Sequence, residues 1–155
     1  QLAPLHSQAL SEAFFRLTDY AVEDREKVPS DTLTVQGRQL FVPKALKGVA
    51  VFSFKRLCAS PLGPADYLAI AQKYHTVIIV GIPKLGPEKR NEAKRFVTLI
   101  DALYEYRVKL LCAADAPPQE LYTEGDGAFE FERTVSRLME MQSADYLAQG
   151  HGIAA

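Results

Sequence analysis

Four arginines stand where a guanidinium could meet an anion. Arg133 and Arg137 are four residues apart in a stretch with helical periodicity, so they share a face. Like charges so placed repel by roughly 0.2–0.5 kcal/mol. Glu130 and Glu140, each three residues from one of them, could screen the pair. Two readings stay open: a surface ion-pair network, or a guanidinium pair aimed at a phosphate or carboxylate, a task that suits its planar donor fork. Lys89, Arg90, Lys94 and Arg95 crowd the first two turns of a second helix that begins near Glu88. A helix N-terminus already presents partial positive charge, so exposed basic residues there cost about 0.3–1 kcal/mol each. Glu88 and Glu92 offset part of that cost, which leaves either a solvated charged face or an end turned toward an anion or an acidic partner.

Other chemistry is sparse. Cys58 and Cys112 are far apart, each after an apolar run, and read as buried thiols rather than a metal pair. His6, His75 and His151 lack ligand spacing, so no metal site is expected. His75, at the junction of a helix and an apolar strand, reads as a capping or core histidine. The phosphate loop GxxxxGK[ST], an Asp-Glu dipeptide ending a strand, the elbow GxSxG, HExxH and GxGxxG are all missing. Backbone amides that cradle phosphate and an acid that holds magnesium are thus not encoded, and no catalytic residue is assigned.

The elements that must position these groups follow from periodicity. Leu5, Ala9, Leu10, Ala13, Phe14 and Leu17 predict an amphipathic helix over 5 to 18. TLTV and QLFVP around Gln36 and Gly37 predict a β-hairpin that starts the sheet, with Gly37 in the turn. VAVFSF predicts a third strand, Pro64 opens a helix to Tyr74, and TVIIVGI reads as a strand covered on both faces. Ala93, Phe96, Val97, Ile100, Leu103 and Tyr104 give the strongest helical signal, over 88 to 106, and VKLLCA follows as a buried strand. Strand, helix, strand predicts a right-handed βαβ unit with parallel strands. PPQELY is a turn, and a last helix from about Phe129 to Met141 turns Phe131, Val135, Leu138 and Met139 or Met141 inward. Tyr104, Tyr106, Phe14, Phe15 and the FEF run are core or interface aromatics. The fold class is therefore α/β: a mixed sheet with an N-terminal helix, a hairpin, a central βαβ unit and a C-terminal helix. One domain over 1–155 is expected, with 1–4 and 148–155 frayed.

Composition narrows the function classes. Apolar residues at 48% and charged residues at 24% match a folded globular domain rather than a disordered chain. A net charge of -1, with 18 basic against 19 acidic side chains, gives no global field for nucleic acid or an anionic membrane. No run approaches the about 18 apolar residues of a membrane span, and no secretory leader is legible, which predicts a cytoplasmic protein without a transmembrane segment.

The ordered segments VQGRQLFVP, GVAVFSFKRLC, PLGPADYLAIAQKYHTVIIVGIP, RNEAKRFVTLIDALYE and FEFERTVSRLMEMQSADYL are more specific than any single motif. Together, from about Leu5 to Leu147, they resemble the C-terminal half of the ZapE-type AAA+ ATPases of bacteria and mitochondria. The resemblance implies a parent that uses ATP and magnesium, with Walker A and Walker B upstream of Gln1 and no cofactor in this chain. It implies as partners that upstream ATPase segment and neighbouring subunits, with FtsZ or another protein as client, and membrane-linked quality control in the mitochondrial branch. LLCAADAPPQELY also resembles the family's sensor strand and Pro-x-x-Leu-Tyr turn, which implies a degenerate second copy of the P-loop core's middle, with TVIIVGI where the metal-binding strand would stand.

On that resemblance the chain is the regulatory and oligomer-facing part of an ATPase. Arg133 and Arg137 are the candidate nucleotide sensors in cis, and Arg90 and Arg95 the candidate contacts in trans. The rival expectation is a non-catalytic adaptor that docks a protein on the hairpin edge at 32 to 43.

Overall fold

The computed structural model describes residues 30–142. The helix expected over 5 to 18, the frayed ends, Phe14, Phe15, His6 and His151 lie outside the described residues. A hairpin of β1 (Asp31–Val35) and β2 (Arg38–Val42) comes first, paired from Asp31 with Val42 to Val35 with Arg38. Its two-residue turn places Gln36 at φ 51° and Gly37 at φ 80°, the left-handed pair that matches strand twist. Leu33, Val35, Leu40 and Val42 point inward, whereas Thr32, Thr34, Gln39 and Phe41 face out.

The hairpin does not start the main sheet, as the sequence had suggested; it forms a two-stranded sheet of its own. Pro43 lacks the N–H that would carry the ladder onward, so a short strand restarts beyond it. That strand, β3 (Lys44–Leu46), pairs antiparallel with β4 (Val49–Ser53), and β4, β5 (Thr76–Ile82) and β6 (Lys109–Ala114) run parallel in the order β3-β4-β5-β6. The mixed α/β sheet is the one expected, and β5 and β6 are adjacent and parallel.

Among the described residues there are four helices: three connect strands, and the last follows β6. Ser53 caps α1 (Phe54–Cys58) by accepting from the Arg56 amide at 3.1 Å. Pro64 opens α2 (Pro64–Lys73), where Asp66 reaches back to the Gly63 amide at 2.8 Å. A 3-10 turn at Pro87–Lys89 leads into α3 (Arg90–Glu105), and another at Pro118–Glu120 lies between β6 and α4 (Ala128–Glu140). The hairpin packs on α2 and β4, α2 on α3, and α3 on α4, so these elements form a row.

The two faces of the sheet differ. Ala50, Phe52, Val77, Ile79, Cys112 and Ala114 share the main core with the helices. Rings run through that core: Phe54 of α1 lies 5.9 Å from Phe96 of α3, Phe96 lies 6.1 Å from Phe131 of α4, and Phe131 lies 5.6 Å from Tyr122. On the opposite face Val49, Ile78 and Ala113 form a second apolar cluster with Leu46, Val51, Val80 and Leu111; among the described residues it contains strand residues only.

Polar ties pin the hairpin along α2. Arg38 Nη2 donates to both Asp66 oxygens at 2.9 and 3.1 Å, at the start of the helix. At its other end, Tyr74 donates to Asp31 Oδ2 at 2.8 Å and Lys73 pairs with the same atom at 2.9 Å. His75 sits where capping was expected: Nε2 is 3.0 Å from the Lys47 carbonyl and Nδ1 is 2.8 Å from Thr76 Oγ1, which ties the β3-β4 turn to the start of β5.

Candidate functional site

The first two turns of α3 carry the cations that looked unfavourable for a helix start, and the fold disperses them. Arg95 turns back toward α1, where Nη1 donates to the Cys58 carbonyl at 2.9 Å and satisfies an end of that helix. Lys94 lies 3.6 Å from Asp126 in the loop before α4, a pair 64% and 69% exposed and so worth under about 1 kcal/mol. Arg90 is exposed and makes no hydrogen bond or ion pair among the described residues.

On α4 the two arginines separate in role. Arg137 pairs with Asp101 of α3, and its guanidinium lies 5.0 Å from the centre of the Tyr104 ring. Arg107 approaches the same ring at 5.1 Å. Tyr104 donates to Glu140 Oε2 at 2.7 Å; that bond to a carboxylate, with burial second, raises its pKa above the ordinary value. Arg137 is thus held in an ion-pair network rather than presented as a free guanidinium. Arg133 is exposed, with no hydrogen bond or ion pair among the described residues. The structure thus brings α3 and α4 side by side, but it does not turn the four arginines onto one point.

Between α3 and α4 lies a cleft of about 370 Å³. Ala93, Val97 and Phe131 give it apolar walls, and Lys94, Asp126 and Glu130 are its charged lining. Gly127, at φ 85°, caps α4 in the left-handed region that glycine enters without strain. Tyr122, also in the lining, donates to the Asp126 carbonyl at 2.5 Å, and burial raises its pKa. Sequence reasoning missed this cleft because its lining comes from two helices and a loop with no motif spacing.

The thiols are inert by environment. Burial pushes Cys112 up to about 12, and burial also raises Cys58 despite the nearby Arg95 charge. Among the described residues no group of three His, Cys, Asp or Glu side chains could hold a metal ion, and no helix is long and apolar enough to cross a membrane.

The described residues do not fit a magnesium triphosphate. β5 leaves the sheet through Val80, Gly81 and Ile82, with no acid to hold the ion. The guanidiniums of Arg95 and Arg137 are committed to Cys58 and Asp101.

An α/β chain with a parallel β4-β5-β6 core, helices on one face and two packed helices bearing arginines defines a class of fold, not yet a family. The sequence profile of the AFG1-like ATPases matches residues 1–150, and the chain belongs to that family. It is 38% identical to an uncharacterized protein of Schizosaccharomyces pombe over 78% of this chain and 27% of that protein. It is 35% identical to the cell division protein ZapE of Escherichia coli, over 97% of this chain and 40% of the relative. Lactation elevated protein 1 homolog B of Danio rerio is 35% identical over 76% and 30% respectively. The chain thus spans less than half the length of these relatives. No solved structure matches it significantly.

Proposed function

We propose that this chain is the regulatory and subunit-facing part of an AFG1-like ATPase and does not hydrolyse ATP by itself. The observation that carries the reading is the end of β5, which sits in a βαβ unit laid out like the middle of an ATPase core yet ends in Val80, Gly81 and Ile82 without a carboxylate. With no acid there and no phosphate loop in the sequence, magnesium and its water have no holder.

Arg133 and Arg90 support the coupling half of the reading. Both are exposed on packed helices and unpaired among the described residues. A guanidinium presented in this way can stabilise charge that develops on a phosphate held by another segment or subunit. Arg137 and Arg95, engaged within the chain, act as positioning groups. The partners proposed are the ATPase segment of the parent and neighbouring subunits. The name of the bacterial relative adds a cell-division setting to the proposal, with a cytoplasmic location.

ATP binding and turnover, measured on this chain alone and on the chain joined to the upstream segment of its parent, test the reading. Turnover is expected only in the joined protein, and Arg133→Ala should lower it by at least about tenfold. Hydrolysis by the isolated chain would end the proposal. Unchanged turnover in Arg133→Ala, with loss of a protein partner, would favour the adaptor reading, which the hairpin supports because, among the described residues, β1 and β2 pair only with each other.

A further inference from the structure

We propose that the helix expected over residues 5 to 18 lies as a single rod, diagonally, across the face of the main sheet that the described helices leave open. The placement stands on burial and register and does not depend on the ATPase reading.

The face is covered, and by something narrow. Val49 and Ile78 are wholly buried and Ala113 is 8% exposed, although among the described residues their cluster contains strand residues only. Parallel strands joined by crossovers need a layer on both faces. The burial exists within one chain, so the cover is a stretch of that chain outside 30–142 and not a second copy or a foreign partner. Val49 is level with Thr76, and Ile78 with Leu111, so Val49, Ile78 and Ala113 step two residues further along each successive strand. Val51 and Val80 on one side of that diagonal, and Leu111 on the other, are only half-buried. One rod of helical width fits this pattern, whereas a broad layer would bury the flanks as well.

Length selects the stretch. From Leu46, level with Val49, to Ala113 the diagonal crosses three strand spacings and climbs four residues, which is about 20 Å at roughly 4.8 Å per strand and 3.3 Å per residue. A helix over 5 to 18 is about 21 Å long, and Leu10, Ala13, Phe14 and Leu17 give it one apolar stripe. Beyond Gln142, Gly150 and Gly152 interrupt the chain, which leaves roughly 10 Å of uninterrupted helix. Residues 19 to 30 are mostly charged and polar, and extended they reach about 40 Å, enough to lead the chain round the sheet to the hairpin. Where an ATPase segment precedes Gln1, as proposed above, the rod ties the incoming chain to the sheet itself rather than to the separate hairpin.

Thiol labelling of the full chain at about pH 8, read by peptide mass, tests this without nucleotide. Val49→Cys should label as slowly as Cys58 and Cys112, which are buried. Adding Leu10→Asp with Phe14→Asp should speed labelling at position 49 at least about a hundredfold by local opening, while both native cysteines stay protected in the main core. Adding Gln8→Asp, on the opposite side of the helix, or Leu147→Asp in the tail should not. Slow labelling with the stripe charged, or release by Leu147→Asp instead, would overturn the proposal. A second measurement decides the matter if the charged chain unfolds. The sequence has no tryptophan, so Phe14→Trp supplies one indole. A nitroxide on Leu111→Cys should quench its fluorescence, and a nitroxide on Phe129→Cys, exposed on α4, should not. Equal quenching from the two positions, or none from either, would also sink the placement.

Discussion

Asp66→Ala should be the most informative single change to the scaffold. Its carboxylate is 2% exposed and holds two groups: the Gly63 amide at 2.8 Å and, through two contacts, the Arg38 guanidinium. Loss of the capping bond costs about 1 kcal/mol. The charged hydrogen bond to Arg38 would be worth about 1.5–3 kcal/mol if buried. Arg38 is 53% exposed, however, so water recovers much of that and roughly 1 kcal/mol is the better figure. The total is about 2 kcal/mol, which for a chain of this size lowers Tm by roughly 4–8 °C. Arg38→Ala should lose only the second part, about 1 kcal/mol, since it leaves the cap in place. Urea unfolding at neutral pH, followed by circular dichroism, measures both, with the slope against denaturant unchanged. A loss below about 0.5 kcal/mol in Asp66→Ala, or an equal loss in the two variants, would refute the reasoning that the carboxylate caps α2 as well as holding Arg38.

Gly48→Ala should cost at least about 1–2 kcal/mol in the same assay, because φ is +80° there and a Cβ would stand 2.5 Å from the His75 ring. Arg137→Ala should destabilise by about 1 kcal/mol through loss of Asp101 and Tyr104, whereas Arg133→Ala should stay within about 0.5 kcal/mol; thermal unfolding distinguishes them. Cys112, pushed up to about 12 by burial, and Tyr67 and Tyr74, also raised by burial, keep their protons in the folded chain. The unfolded chain releases them from the ordinary values of 9.0 and 10.0, so stability should be full below about pH 9 and fall as pH rises. A thiol reagent at pH 8 should accordingly label neither cysteine until the chain unfolds. Asp31 is held below its usual 3.8 by Lys73 and then Tyr74, so its contribution is present above that value and lost as pH falls; Lys73→Ala should flatten the acid limb of an unfolding series.

Much of the scaffold was legible because its signals are local. TVIIVGI is apolar without interruption, and it is the strand Thr76–Ile82. The three-and-four spacing from Ala93 to Leu103 is the buried face of α3. In α4, Phe131 and Leu138 turn inward, and the choice left open between two methionines falls to Met141, since Met139 is 46% exposed. What escaped were short elements fixed by tertiary context. β3 has three residues and exists because Lys47 and Gly48, at φ 52° and 80°, fold it onto β4. α1 has five residues and depends on the Ser53 cap and the carbonyl contact from Arg95. The separation of the hairpin from the sheet depends on Arg38 and Asp31 reaching α2 partners 28 and 43 residues away, distances no local pattern encodes. For the candidate site, spacing found the arginines but not their partners: Asp101 is 36 residues from Arg137, and Cys58 is 37 from Arg95.

The row of rings from Tyr122 through Phe131 and Phe96 to Phe54 has a mechanical meaning. Tyr122 and Phe131 line the cleft at one end, and Phe54 begins the helix that carries Arg56 at the other. Packed interiors compress little, so rings in mutual contact shift together rather than absorb a push. A wedge driven into the cleft would therefore be expected to tilt α1 and re-aim the guanidinium above Phe41, so that the ring row works as a rod of side chains between the two.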